Sequence, residues 1–227
     1  MAYGPLLALL LLSAALARLY AVLPRGNPPK RRSRARSETC TLAVFLGSGG
    51  HTSEALALVS ALDFDRYYPR KYFVSQGDIL SAKKAIALES DRASASLSSS
   101  TTPYTVITIP RARRVHQSLL TTPFSSAISL IVCTYHVTIN PLLSGEPFAD
   151  VLLVNGPGTC VMLCLAVYLN RFFGLSSPKL IYVESFARVK RLSLSGKILK
   201  PFVDRFLVQW PDLAQDNSRV QYKGCLV

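Results

Sequence analysis

Acidic side chains are scarce in this chain. There are 13 of them against 26 lysines and arginines in 227 residues, and none precedes Glu38. The net charge of +13 is therefore uneven. Arg18, Arg25, Lys30, Arg31, Arg32, Arg34 and Arg36 all lie before Glu38, which leaves +6 for everything after them. A nucleic-acid surface needs its cations on a folded domain, interleaved with aromatic rings. The dense block here has no aromatics, so nucleic acid is set aside as a partner. Cysteines number five, an odd count, with no C-x-x-C pair. Cys160 and Cys164 share a helix face, but no neighbouring His or Cys completes a metal set, which points to buried reduced thiols and no metal site. No Asn-x-Ser/Thr acceptor triplet occurs, in keeping with a cytosolic domain.

Apolar residues are plentiful at 49%, enough for a buried core and too many for a disordered chain. Residues Pro5 to Leu23 are apolar apart from Ser13 and Arg18. As a helix rising about 1.5 Å per residue, this stretch matches the ~30 Å hydrocarbon core of a bilayer. Arg18 and Tyr20 stand near one end, placed for snorkelling and for the headgroup level. A cleaved signal peptide would carry positive charge before the apolar stretch, yet the charge follows it. The positive-inside rule then puts the rest of the chain in the cytosol. The expected organisation is an anchor over 1–23, a basic Pro- and Gly-containing linker over 24–39, and a folded domain over 40–227.

Within that domain short apolar runs alternate with helical patterns. Strands are expected at Thr41–Leu46, Tyr72–Ser75, Tyr104–Ile109, Val151–Val154, Lys179–Val183, Arg205–Val208 and Val220–Tyr222. Helices are expected over Ala55–Leu62, Ile79–Leu88, Phe124–Ile139, Thr159–Phe173 and Leu194–Val203, with a flexible Ser/Thr-rich loop at Asp91–Thr102. The alternation predicts an α/β fold with a Rossmann-like, mostly parallel sheet and helices on both faces. Right-handed crossovers gather the strands' C-terminal ends on one rim, where ligands bind.

Two glycine turns fall on that rim. Gly47-Ser48-Gly49-Gly50-His51-Thr52 joins a strand to a helix, an arrangement that suits a phosphate or pyrophosphate. It is no P-loop, since no Gly-Lys-Ser/Thr follows, and its spacing fails the dinucleotide fingerprint. His51 is a candidate general base toward an acceptor hydroxyl, a phosphate ligand, or a packing residue. Glu54 reads as a complement to the helix dipole. The second turn, Asn155-Gly156-Pro157-Gly158-Thr159, again permits close approach, with Thr159 as candidate helix cap. Glu184 is a carboxylate at the same rim, placed to orient a sugar hydroxyl or a basic partner. Arg188, Lys190 and Arg191 either neutralise a diphosphate or form a solvated face. For Phe124–Ile139, core packing is the first reading and a membrane-dipping face the second.

Taken together, Val44-Phe-Leu-Gly-Ser-Gly-Gly-His-Thr-Ser-Glu54, Asn155-Gly-Pro-Gly-Thr-Cys160, Val183-Glu-Ser-Phe-Ala-Arg188, Leu192-Ser-Leu-Ser-Gly-Lys197 and Asp204-Arg-Phe-Leu-Val-Gln-Trp-Pro211 resemble one family. It is the membrane-anchoring subunit of the UDP-N-acetylglucosamine transferase of asparagine-linked glycosylation. The resemblance implies the N-terminal half of a GT-B glycosyltransferase on the endoplasmic reticulum membrane. It implies a separate soluble subunit that binds UDP-N-acetylglucosamine, so this chain needs no cofactor of its own. The pair would add the second sugar, β1,4 and with inversion, to N-acetylglucosaminyl-diphosphodolichol. The glycine turns, Glu184 and Arg188 would then bind substrate, with His51 catalytic. The tail Gly224, Cys225, Leu226 and Val227 would dock on the partner. Met162 stands where the family pattern leads one to expect proline, and Cys225 where it leads one to expect arginine. A non-catalytic membrane scaffold and, more remotely, a tethered nucleotide-dependent oxidoreductase are the competing readings.

Overall fold

Five consecutive buried residues, Leu42–Leu46, make β1, and their alternation assigns the helices to the two sheet faces. Ala43 and Phe45 point into one core with Cys133, Leu163, Val167 and Leu199. Leu42, Val44 and Leu46 point into another with Ala55, Leu56, Val59 and Ala85. A strand buried on both faces reads as one apolar run because successive side chains leave opposite sides of the pleat.

The computed structural model describes residues 3–24, 38–95, 103–114, 117, 118, 120–214 and 219–226. The elements in chain order are α1 (Tyr3–Val22), β1 (Leu42–Leu46), α2 (Gly50–Ser60), β2 (Arg70–Ser75), α3 (Ile79–Ala95), β3 (Tyr104–Ile109), α4 (Thr122–Thr134), α5 (Asn140–Ser144), β4 (Val151–Val154), α6 (Thr159–Phe173), β5 (Lys179–Val183), α7 (Leu194–Leu199), β6 (Arg205–Val208) and β7 (Val220–Tyr222). All seven strands lie in one sheet in the order β3-β2-β1-β4-β5-β6-β7. Every neighbouring pair is parallel, so the expected mostly parallel sheet is wholly parallel among the described residues. Strand order reverses between β1 and β4, and the crevice of a doubly wound sheet opens at such a switch point. The loops leaving β1 and β4 are the two glycine turns.

Some expectations change at element ends. Helix α2 begins at Gly50, so His51 lies in its first turn and not in a loop. Helix α3 runs on to Ala95 into the expected flexible segment, because Leu88 and Glu89 still face inward, Glu89 to pair with buried Arg70. The rest of that segment, 96–102, lies outside the described residues, as does most of the expected linker, 25–37. Helix α7 ends at Leu199, before Pro201, which has no N–H to continue the ladder.

Helix α4, a π turn at Tyr135–Ile139 and α5 form one run, Thr122–Ser144, that is long and apolar enough to cross a membrane. One side of it belongs to the core: Ser129, Cys133 and Val137 are buried. Ser129 Oγ donates to Pro110 O at 2.8 Å, and Thr138 Oγ1 to Asn170 Oδ1. The core-packing reading holds for that side, while Phe124, Ile128, Ile131 and Tyr135 are exposed on the other. Helix α1, 20 residues long, exposes its leucines. Its C-terminal end docks on α6, with Val22 and Leu23 against the core. Arg18 Nε donates to Phe172 O at 2.8 Å and Nη2 to Arg171 O at 3.0 Å, a cation on the last carbonyls of α6.

Candidate functional site

The crevice between β1 and β4 is bounded by the N-termini of α2 and α6, two positive dipole ends. Gly47 follows β1 and is buried, and a side chain there would strike His51 Cβ at 2.8 Å and Pro157 Cδ at 2.9 Å. Gly156 has φ +107, and a Cβ on it would meet the His51 ring at 3.0 Å. These two glycines make room for the imidazole. Gly49, Gly50 and Gly158 have nothing within 4 Å of an added Cβ, so their backbones and that of Ser48 stand open to a ligand.

His51 projects from the first turn of α2 with its side chain 34% exposed. Its Nδ1 lies 2.9 Å from Asn155 Oδ1. Asn155 is fully buried and donates through Nδ2 to Glu54 Oε2 at 2.8 Å. Glu54 Oε1 accepts from Ser185 Oγ at 2.8 Å and from the Phe186 N–H at 3.2 Å. One α2 carboxylate thus ties together the loops after β1, β4 and β5. Its expected role as a dipole complement missed this, because its partners lie 101 and 131 residues away. Only the spacing His51-x-x-Glu54, one helix turn, hinted at it.

Several other site candidates face inward. Thr52 is buried, its hydroxyl bonded to Gly47 O and to Ser81 Oγ, so it closes the turn from within. Thr159 does not cap α6. Gly158 occupies the cap position, and Thr159 Oγ1 accepts from the Ala112 N–H at 3.1 Å, holding the loop after β3. Glu184 is 2% exposed, and its carboxylate accepts from the Ser193 N–H at 2.9 Å and Ser193 Oγ at 3.1 Å. Sequence placed it at the rim, and it is there, turned toward the chain that enters α7.

Arg188 is exposed, as are Lys190 and Arg191. Arg113 and Arg114 add charge from the loop after β3. The rim carboxylates Asp78, Glu54 and Glu184 are all engaged by internal donors. The loops after β3 and β5 thus bring exposed cations to the rim.

Sequence reasoning also missed an aromatic pair. Phe186 and Trp210 have ring centroids 4.9 Å apart, and Trp210 Nε1 donates to Phe186 O at 2.7 Å. Beside them the tail turns back over the rim. Gly224 has φ +89, Cys225 is exposed, and the Leu226 N–H donates to Gln209 Oε1 at 3.2 Å. Gln209 in turn donates to Glu184 O at 3.4 Å. Val227 lies outside the described residues. Cys225 is the exception to the buried thiols, since Cys40, Cys133, Cys160 and Cys164 are all inside. Burial pushes the Cys133 and Cys164 thiols up to about 12, far from the reactive thiolate form.

A family model described as "Oligosaccharide biosynthesis protein Alg14 like" matches residues 42–226. The chain is 49% identical over 205 residues to a protein of Cryptococcus neoformans named "UDP-N-acetylglucosamine transferase subunit ALG14", covering 88% of this chain and 87% of that one. The Schizosaccharomyces pombe protein of that name is 48% identical over 211 residues, covering 93% and 94%. The Homo sapiens one is 39% identical over 190 residues, covering 84% of each. No solved structure matches significantly. With its sheet, both glycine turns and its tail inside the matched span, the chain belongs to the Alg14 family of oligosaccharide biosynthesis proteins.

Proposed function

We propose that this chain is the membrane-anchoring, acceptor-binding subunit of a two-chain UDP-N-acetylglucosamine transferase. It acts on the cytosolic face of the endoplasmic reticulum, and α1 is its anchor. The complex adds a β1,4-linked N-acetylglucosamine to N-acetylglucosaminyl-diphosphodolichol. The observation that carries this reading is a switch-point crevice with open glycine backbones and a histidine 34% exposed, at the rim of the one seven-stranded sheet that the described residues form. The relatives, each named as a transferase subunit, support it. A soluble donor-binding subunit supplies the opposite wall, completing a GT-B arrangement, and brings UDP-N-acetylglucosamine. Its docking involves the tail at Gly224 to Val227.

In the proposed reaction Gly47 to Gly50, Gly156 and Gly158 admit the acceptor diphosphate, and Arg188 lowers its charge cost. Asn155, Thr52, Thr159 and Glu184 shape the turns that hold it. His51 Nε2 takes the proton of the acceptor hydroxyl as that oxygen attacks the anomeric carbon. UDP leaves from the opposite face, which inverts the configuration. The test is His51→Ala in the full chain co-purified with the donor-binding subunit, assayed with a short-chain lipid-diphosphate sugar. Turnover drops by at least about tenfold with the complex intact. Undiminished turnover removes His51 from the mechanism. If the donor subunit fused to an unrelated apolar helix works equally well without this domain, the chain is a scaffold only.

A further inference from the structure

Each polar contact to Glu54 comes from a donor or a potential donor. Ser185 Oγ and the Phe186 N–H reach Oε1, and Asn155 Nδ2 reaches Oε2. A carboxylate only accepts, so the Asn155 side chain must turn its NH2 toward Glu54. Its Oδ1 then faces His51 Nδ1 at 2.9 Å. An amide oxygen also only accepts, so in that bond the proton sits on Nδ1. The neutral imidazole is left with its lone pair on Nε2, the nitrogen that Asn155 does not bind.

We propose that Glu54, acting through Asn155, is a positioning residue that holds His51 in the Nδ1–H tautomer. The inference rests on the reading of His51 as the base. Without an acceptor-only group at position 54 the Asn155 amide has no preferred orientation. Turned over, it presents NH2 to Nδ1, the ring carries its proton on Nε2, and Nε2 cannot receive the acceptor proton. Once the proton has moved to Nε2, the imidazolium keeps its Nδ1–H on Asn155 Oδ1 and lies 3.9 Å from Glu54 Oε2, whose charge stabilises it. The logic is that of a Ser-His-Asp triad with an amide between the ring and the carboxylate. Burial supports it, since Asn155 is fully enclosed and the Glu54 side chain is 15% exposed, which keeps water from substituting for either.

The polarity of the relay gives a sharp test in the complex of the full chain with the donor-binding subunit. Glu54→Gln places both a donor and an acceptor at 54 and frees the amide to flip. Its kcat falls by about thirtyfold or more, while KM for either substrate moves less than about threefold. The double variant Glu54→Gln/Asn155→Asp restores a single polarity: the new glutamine donates to the new aspartate, whose other oxygen accepts from His51 Nδ1–H. Its kcat returns to within about fivefold of wild type, a rescue that a merely structural Glu54 does not predict.

Nitrogen NMR of the complex, with histidine labelled in this chain alone, reads the tautomer directly. The chain has three histidines, and the His51 signal is the one lost in His51→Ala. The wild type shows a protonated Nδ1 and a bare Nε2, and Glu54→Gln shows them mixed or reversed. An unchanged tautomer in Glu54→Gln, or a double variant no better than the single, overturns the inference even if His51→Ala is inactive. Full activity of His51→Ala sinks the base reading instead, and is recognised separately from the tautomer result.

Discussion

The His51 ring packs against the backbone of Gly156, with 3.0 Å between its Cγ and the place where a side chain on Gly156 would begin. Both the closeness of the ring and the backbone φ of +107 require glycine. The second glycine turn, whose residues suggest close backbone approach to a ligand, therefore has a further purpose, seating the imidazole.

Gly156→Ala tests this. The strained conformation costs about 1–3 kcal/mol, seen as a lower Tm, and the displaced ring lowers kcat by about tenfold or more. A variant that loses only stability, with kcat intact, would show that the ring's seat does not matter.

Gly50→Ala should behave in the opposite way. Gly50 opens α2, and an added Cβ meets nothing within 4 Å. The fold tolerates the change or gains up to about 1 kcal/mol, since alanine is the better helix former. If the acceptor diphosphate approaches this backbone, the added methyl raises the acceptor KM several-fold while the donor KM stays put. Steady-state kinetics against each substrate, beside a thermal melt, separates the two effects.

Removing the Glu184 carboxylate should cost stability. Glu184→Ala takes the acceptor away from the part-buried Ser193 N–H, at about 1–3 kcal/mol, and leaves Ser193 Oγ with Tyr182 Oη alone beside the Gly196 N–H, which loosens the entry to α7. Hydrogen exchange rises over residues 185–197. Loss of acceptor binding with no change in exchange or Tm would instead return Glu184 to direct substrate contact.

His136 carries a pH dependence of known sign. Burial lowers its pKa, because the ring sits against Phe73 and Tyr135 where the charged form is poorly solvated. The unfolded chain protonates first, near the ordinary value of about 6.5. Its contribution to stability is thus complete above that pH and is lost progressively as pH falls toward the folded value. Melting wild type and His136→Gln from pH 7.5 to 5 should show the gap between them shrinking on acidification. A gap that widens would reverse the assignment.

The elements were legible because apolar patterning is local. Strands β3 to β7 and helix α6 have the bounds their residues suggest, and the apolar run Thr41–Leu46, ending in glycines, reads as a strand of a sheet covered on both sides, which the structure trims to Leu42–Leu46. Parallel order then follows from the intervening helices, and with it a single rim bearing both glycine turns. The partners of polar groups were not legible in this way. Nothing near Glu54 in sequence announces Asn155 or Ser185, and nothing near Glu184 separates a carboxylate facing a ligand from one receiving the Ser193 N–H.

The sequence by itself determined the apolar N-terminal helix, the doubly wound class and the loops that meet at the switch point. These depend on side-chain periodicity, glycine and chain connectivity, all properties of neighbours along the chain. Tertiary structure alone decided that Thr52, Thr159 and Glu184 face inward and that Glu54 reaches His51 through Asn155. A buried polar group must find a partner somewhere, and for Glu54, Asn155 and His51 that partner comes from segments more than a hundred residues apart arriving at the same point in space.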